Sequence, residues 1–277
     1  MSKPNNAPAK QQSGSTKNNA MFAWAVIFIA LIVAHAVFYL VMGAPGNFEG
    51  GDPVKGHPVH GNMLGTIYKG GFIVPILLTL FLCVVTFSIE RLFTLMAASG
   101  KGSLPDFLKR VKANLEANNV DAAIAECDKQ RGSVANIVRS GLKKYKEMAA
   151  NGDMDRDQKV ASIQQEIEET TALEMPMLEK NMPIISTIAS IGTLIALLGT
   201  VIGMIKAISA LANPGAPDAV ALSTGISEAL INTALGIGTS ALAIIAYNFF
   251  TARIDGMSYR IDEAAFTLSQ SFVAHNK

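Results

Sequence analysis

Four long apolar runs divide the chain into stretches that are long enough to cross a lipid bilayer. They cover residues 21–43, 71–96, 183–210 and 225–252, and each is close to or above the ~20 residues that a helix needs to cross ~30 Å of hydrocarbon. The pattern predicts an all-α polytopic membrane protein with four transmembrane helices. For the first run a cleaved signal peptide is the alternative, although its apolar core exceeds the ~7–15 residues usual in such peptides.

The charge of the intervening segments predicts how the chain is oriented. Residues 1–20 carry three lysines and no acid, and basic residues also follow the second and fourth runs. The 44–70 segment is balanced in charge, and 211–224 contains no Lys or Arg. Because basic residues near span ends stay on the cytoplasmic side, both termini are predicted to be cytoplasmic. The remaining boundaries follow: a disordered basic arm over 1–20, periplasmic loops over 44–70 and 211–224, and a cytoplasmic tail over 253–277.

Residues 97–182 are polar and charged and are predicted to form a helical cytoplasmic domain that continues the transmembrane helices. Several residues are placed to begin or end helices within it. They are Ser103 before the first helix, Asn119 or Asp121 before the second, Gly132 after it, and Ser133 before the third.

The last part of this domain is predicted to run without a break into the third apolar run. From Asp155 onward only Pro176 and Pro183 interrupt the helical pattern. The sequence therefore predicts one long helix that bends at the prolines.

Composition excludes several classes of function. Half of the 277 residues are hydrophobic, 16% are charged, and the net charge is +1, so nothing indicates a nucleic-acid partner. No phosphate-binding loop, HExxH or nucleophile elbow occurs. The two separated cysteines show no metal-ligand spacing, His35 has no second histidine or carboxylate within a turn, and His57 with His60 could hold a metal only weakly. We therefore expect no enzymatic activity, cofactor or metal.

Small and hydroxyl residues form stripes on the third and fourth runs at helical spacings. Two readings stay open: close packing of the helices through small residues, or a mildly polar pathway. On the third run the stripes comprise Ser186, Ser190, Thr193 and Thr200 with Gly192, Ala196, Gly199 and Gly203. On the fourth run they comprise Ala229, Thr233, Gly236, Ser240 and Ala243, with Glu228, Asn232 and Thr239 beside them.

Glu228 is the one acidic residue in the third and fourth apolar runs. A carboxylate inside a span is costly unless it is paired, protonated or wetted. Lys206 lies near the same end of the third run, so an ion pair with Lys206 is one interpretation and a functional site is the other. Glu90 and Arg91, at the end of the second run, are interpreted as an interfacial anchoring pair.

The segments "GFIVPILLTLFLCVVTFSIERLFTL", "AAIAECDKQRGSVANIVRSGL", "IASIGTLIALLGTVIGMIKAI" and "GISEALINTALGIGTSALAIIAYNFF" resemble, in this order, the MotA/TolQ/ExbB proton channel family, and most closely its ExbB branch. The resemblance implies an inner-membrane ring, typically a homopentamer, around the single-span helices of an ExbD-like partner that carries the proton-binding aspartate. It also implies that the ring energises a TonB-like transducer. The motifs match the family's pore-lining positions at Thr200, Glu228 and Thr233.

Further candidates for the same pore face are Ser190, Thr193, Asn232 and Ser240. Thr193 and Ala196 stand where family members often have proline and glycine. The first apolar run and the basic arm lie outside the family's three-span core, and we expect that helix at the ring's periphery, bound to lipid or an accessory subunit.

Several alternatives stay open. Within the family these are a TolQ-like role and a gliding or flagellar-type stator. Outside it they are a self-contained ion or solute channel that uses Glu228, and a membrane scaffold without ion flux.

Overall fold

Helices account for all four apolar runs and for most of the polar region between the second and third. The structure is a computed structural model that describes residues 13–212 and 218–275. Its helices are α1 (Ser13–Ala36), α2 (Met63–Tyr68), α3 (Val74–Ser99), α4 (Leu104–Glu116), α5 (Val120–Gln130), α6 (Ser133–Ala150), α7 (Arg156–Glu179), α8 (Met182–Leu211) and α9 (Ala219–His275). No β-strand occurs within those residues. The predicted all-α class with four helices apolar enough to span a membrane is confirmed.

Some boundaries differ from the sequence-based ones. Helix α1 begins at Ser13, so part of the arm predicted to be disordered is helical, while residues 1–12 of that arm lie outside the described residues. Helix α9 begins at Ala219 and continues unbroken through the predicted tail. Residues 213–217 of the predicted 211–224 loop are not among those described.

The chain divides into two units, each with its own packed interior. Within the described residues, the first unit comprises 13–87, 184–212 and 218–245, and the second comprises 88–183 and 246–275. Helices α3, α8 and α9 contribute residues to both units.

In the first unit, the segment predicted as a loop over 44–70 is folded. Helix α1 continues as a π-helix over Val37–Met42, and the Asn47 side-chain amide donates to the carbonyls of Val41 and Met42 at 2.7 and 2.9 Å. These bonds satisfy carbonyls that a helix end leaves without intrahelical donors. The ring of Tyr68 stacks on that of Phe38, with centroids 4.6 Å apart.

The N-terminal helix is anchored to α3 and α9 through this folded segment. Phe38 and Met42 are buried with Val74 of α3, and Ile231 and Leu235 of α9 pack against the same cluster. Burying side chains of this size stabilises a soluble protein by about 1.5–3 kcal/mol each. The end of the additional helix is therefore part of the packed interior of the first unit.

In the second unit, α4 to α7 pack successively against one another, and the last part of α9 contacts α6 and α7. Asn119 caps α5 by accepting from the N–H of Ala122, as its position predicts. The N-cap of α6 is Gly132, which corrects the prediction of Ser133. Gly132 has φ of +87°, a conformation that costs glycine little.

The predicted single helix from Asp155 is broken, which corrects the prediction of bends at the prolines. Pro176 lies inside α7, which ends at Glu179, and α8 begins at Met182. The break falls at Asn181, whose φ is +65°. Asparagine tolerates this left-handed conformation better than most residues.

Arg91 holds the end of α7 in place. Its guanidinium is buried and donates to the carbonyls of Leu178 and Met177 at 3.1 and 3.3 Å. It also forms a two-pronged ion pair with Glu90, which in turn accepts from the Asn181 amide at 3.1 Å. The Glu90–Arg91 pair, for which the sequence predicts an interfacial anchor, therefore connects α3 to the break between α7 and α8.

Candidate functional site

Helices α8 and α9 approach each other closely because their facing residues are small. A Cβ atom added at Gly203 would lie 2.7 Å from the carbonyl oxygen of Gly225, and one added at Gly236 would overlap Ala196. A Cβ at Gly192 would lie 2.6 Å from the Ser240 hydroxyl. The small-residue stripes therefore pack against one another, which is the way membrane helices associate. We call this contact the α8–α9 interface.

Two hydroxyl pairs join the helices across this interface. The Oγ1 atoms of Thr200 and Thr233 lie 2.5 Å apart, and the Thr193 hydroxyl donates to Ser240 at 2.9 Å. Ser240 is buried, Thr200 and Thr233 are half-buried, and Thr193 is exposed. Packing and polarity therefore occur at the same interface and do not exclude one another.

The Thr200–Thr233 pair has more acceptors than hydrogens. Thr200 Oγ1 is also 3.1 Å from the carbonyl of Ala196, and Thr233 Oγ1 is 3.0 Å from that of Ala229. Each hydroxyl has one hydrogen and can also accept. Such a pair can donate a hydrogen bond to an approaching polar group, or accept one from it, while both side chains stay on the helix surface.

Glu228 and Lys206 form an ion pair at one end of the interface. Lys206 Nζ donates to both carboxylate oxygens at 2.8 and 2.9 Å, with the glutamate side chain 6% exposed and the lysine 51% exposed. The ring centroid of Phe72 lies 6.0 Å from the Lys206 ammonium. Pairing offsets the cost of placing each charge in an apolar region. The geometry therefore agrees with the ion-pair interpretation of Glu228.

The Gly70–Gly71 turn, which precedes α3, completes the surroundings of Glu228. Gly71 has φ of +76°, and a Cβ there would lie 2.5 Å from Glu228 Oε1. The carbonyl of Gly70 accepts from the Asn232 amide at 3.0 Å. Sequence reasoning did not single out these glycines, although the adjacent pair in "YKGGFIVP" is a signal for an unusual turn.

Asn232 is buried between this turn and α8. A Cβ atom at Gly199 would lie 2.8 Å from its side chain, so only glycine fits beside it. Its Oδ1 has no hydrogen-bond partner among the described residues. Ser190, the remaining candidate, is exposed on α8.

The site combines hydrogen-bonding hydroxyls with a neutralised pair of charges. Among the described residues of α8 and of 218–245, the carboxylates are Glu228, which Lys206 holds, and Asp218, which caps the start of α9. The described residues also contain no group of three His, Cys, Asp or Glu side chains that could hold a metal ion. The chemistry available along the interface is therefore hydrogen-bond exchange.

Comparison with known proteins places the site within a matched region. Residues 129–263 match the model of the MotA/TolQ/ExbB proton channel family, in agreement with the resemblance seen in the motifs. The chain is 27% identical over 155 residues to the Tol-Pal system protein TolQ of Pseudomonas aeruginosa, an alignment that covers 56% of this chain and 67% of that protein.

It is 36% identical over 84 residues to the Tol-Pal system protein TolQ of Haemophilus influenzae, which covers 30% of this chain and 37% of that protein. Thr200, Glu228 and Thr233 all lie inside the region matched by the family model. Both relatives carry the TolQ name, which fits the alternative branch, and the ExbB branch stays a prediction.

Proposed function

Because the chain belongs to the MotA/TolQ/ExbB proton channel family, we propose that it is the multi-span subunit of a proton-driven complex in the bacterial inner membrane. It has no enzymatic step of its own. Both termini are cytoplasmic, as the distribution of Lys and Arg indicates.

The observation that carries the proposal is the Thr200–Thr233 hydroxyl pair on the α8–α9 interface. Threonine hydroxyls both donate and accept, so they serve an aspartate whose protonation changes during a cycle, directly or through bridging water. Glu228, a carboxylate on the same helix as Thr233, is held by Lys206. The titrating group is therefore supplied by the single-span, ExbD-like partner, and this chain supplies the hydrogen bonds beside its path.

Several copies of the chain, five by family resemblance, surround the partner helix. Exposed apolar residues on α8 support an assembly with further chains and lipid, since a helix that is apolar around most of its circumference is stable only against other apolar surfaces. Leu197, Val201, Met204 and Ile208 are among these residues. One charge crossing 100 mV is worth about 2.3 kcal/mol, which is enough to drive a rearrangement of such a ring.

Two branches of the family are candidates for the work that the complex performs. The residues of the motifs "LLGTVIGM" and "ISEALINTALGIG" favour an ExbB-like role in which a TonB-like transducer energises outer-membrane transport. The two relatives named as Tol-Pal system proteins favour a TolQ-like role. Native mass spectrometry of the complex extracted from its own membrane identifies the third protein and decides between the two branches.

The proposal is tested by replacing both threonines with valine, which keeps the shape and removes the hydroxyls. We expect the Thr200→Val, Thr233→Val variant to assemble normally and to lose proton-dependent work. The matched control is Ser209→Ala with Thr224→Val, because these exposed hydroxyls on the same helices bond only to their own helix. Full activity of the double valine variant would contradict the proposal.

The rival is a self-contained channel that uses Glu228. Proteoliposomes that contain this chain alone test it directly, with a pH-sensitive dye inside the vesicles. Our proposal expects no proton flux above that of empty vesicles until the partner is added, whereas flux through the chain alone would support the rival.

A further inference from the structure

A cavity of about 640 Å³ lies in the second unit, where the ends of α3 and α9 meet the start of α4. Leu92 and Met96 on α3 and Phe249 on α9 supply part of its apolar lining. These residues belong to the ends of the second and fourth apolar runs. The cavity therefore lies where hydrocarbon gives way to the polar face of the membrane.

Positive charge surrounds the polar end of the cavity. Arg253 and Arg260 line it, two turns apart on α9. Arg253 is exposed, lies 5.5 Å from the Phe249 ring centroid, and has no ion pair within the described residues, whereas Arg260 pairs with Glu263 on the surface. An adjacent depression shares Arg260 and adds Lys109, Lys112 and the acidic Glu263, so three of its four charged residues are basic. The excess of positive charge beside the cavity favours an anionic ligand.

The start of α4 adds a second feature that favours an anion. Ser103 and Leu104 line the cavity at the first turn of this 13-residue helix, and the Ser103 side chain makes no capping hydrogen bond. The first N–H groups of a helix lack intrahelical partners and carry a partial positive charge. In α4 these are the N–H groups of Leu104 and Asp106, since Pro105 has none, and the Asp106 carboxylate lies in the same turn. Such N–H groups attract phosphate groups in particular.

We propose that this cavity binds an anionic phospholipid. Its acyl chains lie along Leu92, Met96 and Phe249, and its phosphate lies between Arg253 and the start of α4. The apolar lining at the ends of two spans distinguishes this occupant from a soluble phosphate, and the arginines distinguish it from a neutral lipid. Arginine attracts anionic lipids with about 1 kcal/mol per residue near a membrane surface.

The first test compares phosphatidylglycerol with phosphatidylcholine of identical acyl chains. The intact complex is stripped of lipid, mixed with each lipid, and examined by native mass spectrometry for lipid that stays bound. We expect phosphatidylglycerol to be preferred about tenfold or more, and Arg253→Gln with Arg260→Gln to abolish that preference. The control is Arg156→Gln with Lys159→Gln, which removes two positive charges from α7 outside the cavity and should leave the preference unchanged.

A second variant tests the cavity without altering its charge. Gly256 lines it, and a Cβ there would meet no atom within 4 Å, so Gly256→Phe fills the space without a backbone clash. Lipid binding should be lost, while Gly256→Ala should retain it. Equal retention of both lipids by the unaltered chain, or unchanged preference in the arginine variant, would overturn the proposal.

Crosslinking distinguishes lipid from protein as the occupant. Benzoylphenylalanine in place of Phe249 should capture phospholipid in native membranes. Capture of a peptide from a second copy of this chain, or from a partner subunit, would show that protein fills the cavity and would refute lipid binding there.

Discussion

Lys206 on α8 holds both oxygens of the Glu228 carboxylate on α9, at 2.8 and 2.9 Å. The carboxylate is buried and the ammonium is half exposed. Since each charge offsets the other, the two residues depend on one another in an asymmetric way. Loss of the lysine leaves the buried Glu228 carboxylate without a partner, whereas loss of the glutamate leaves a lysine that water or lipid headgroups can reach.

Lys206→Met is therefore expected to lower the free energy of unfolding by about 1–3 kcal/mol, below the range for fully buried pairs because the lysine is half exposed. Adding Glu228→Gln should recover most of this loss, since the stranded charge is then gone. Thermal unfolding in detergent measures both variants, with Lys159→Met on α7 as the control. A double variant no more stable than Lys206→Met would show that the pair does not cause the loss.

Gly71 is expected to be intolerant of a side chain for two reasons, its positive φ and its contact with Glu228. Gly61 has φ of +79° with open space around it, so Gly61→Ala carries only the conformational cost of about 1–2 kcal/mol. Gly71→Ala should lower the unfolding midpoint clearly further, because its Cβ would lie 2.5 Å from Glu228 Oε1. Equal unfolding midpoints for Gly61→Ala and Gly71→Ala would show that the Gly70–Gly71 turn adjusts to the new side chain without displacing the Glu228 carboxylate.

Arg91 should be among the least replaceable residues of the second unit. Arg91→Met leaves Glu90 without its partner and removes the donors to the carbonyls at the end of α7, with an expected loss of about 3–5 kcal/mol. Arg110→Met breaks an exposed pair with Glu126 and should cost about 0–1 kcal/mol. Comparable unfolding midpoints for the two variants would contradict the role assigned to Arg91.

Cys127 is expected to resist alkylation while the protein is folded. Burial, with a smaller effect of Asp128, raises the pKa of its thiol to about 12. At pH 9 about one thiol in a thousand is then ionised, and the thiolate is the reactive form. Iodoacetamide labelling of a Cys83→Ala variant should be slow in mild detergent and fast after unfolding, and rapid labelling of the folded protein would contradict the burial of Cys127.

The same shift makes stability depend on alkaline pH. The folded-state pKa lies above the ordinary thiol value of 9.0, so the folded protein binds the proton more tightly than the unfolded chain. The resulting stability is complete below about pH 9 and is lost as the pH rises through the folded value. Cys127→Ala should remove this part of the alkaline decline in the unfolding midpoint.

Local signals made much of the fold predictable. The four apolar runs and the cap at Asn119 depend on neighbouring residues, and each is found where the pattern indicates. The break at Asn181 was not predictable in this way. It is stabilised by Glu90 and Arg91, which are about ninety residues away along the chain, while Pro176 is accommodated inside α7.

The candidate site shows the same division. Helical spacing placed Thr200 and Thr233 on facing stripes, and the Glu228–Lys206 pair was one of two interpretations that the sequence left open. The bond from Asn232 to Gly70 joins residues 162 positions apart. It depends on how the turn before α3 meets α9, and no periodicity within either segment contains that information.

The Thr200–Thr233 contact admits two arrangements of its hydroxyl hydrogens. If Thr200 donates across the interface, Thr233 donates to the carbonyl of Ala229, and if Thr233 donates across it, Thr200 donates to that of Ala196. The two arrangements have opposite dipoles and identical heavy-atom positions. In the function proposed above, a charge that passes this interface would reverse the dipole by rotating two O–H bonds, so the interface would respond to the protonation state of a neighbour without moving its backbone.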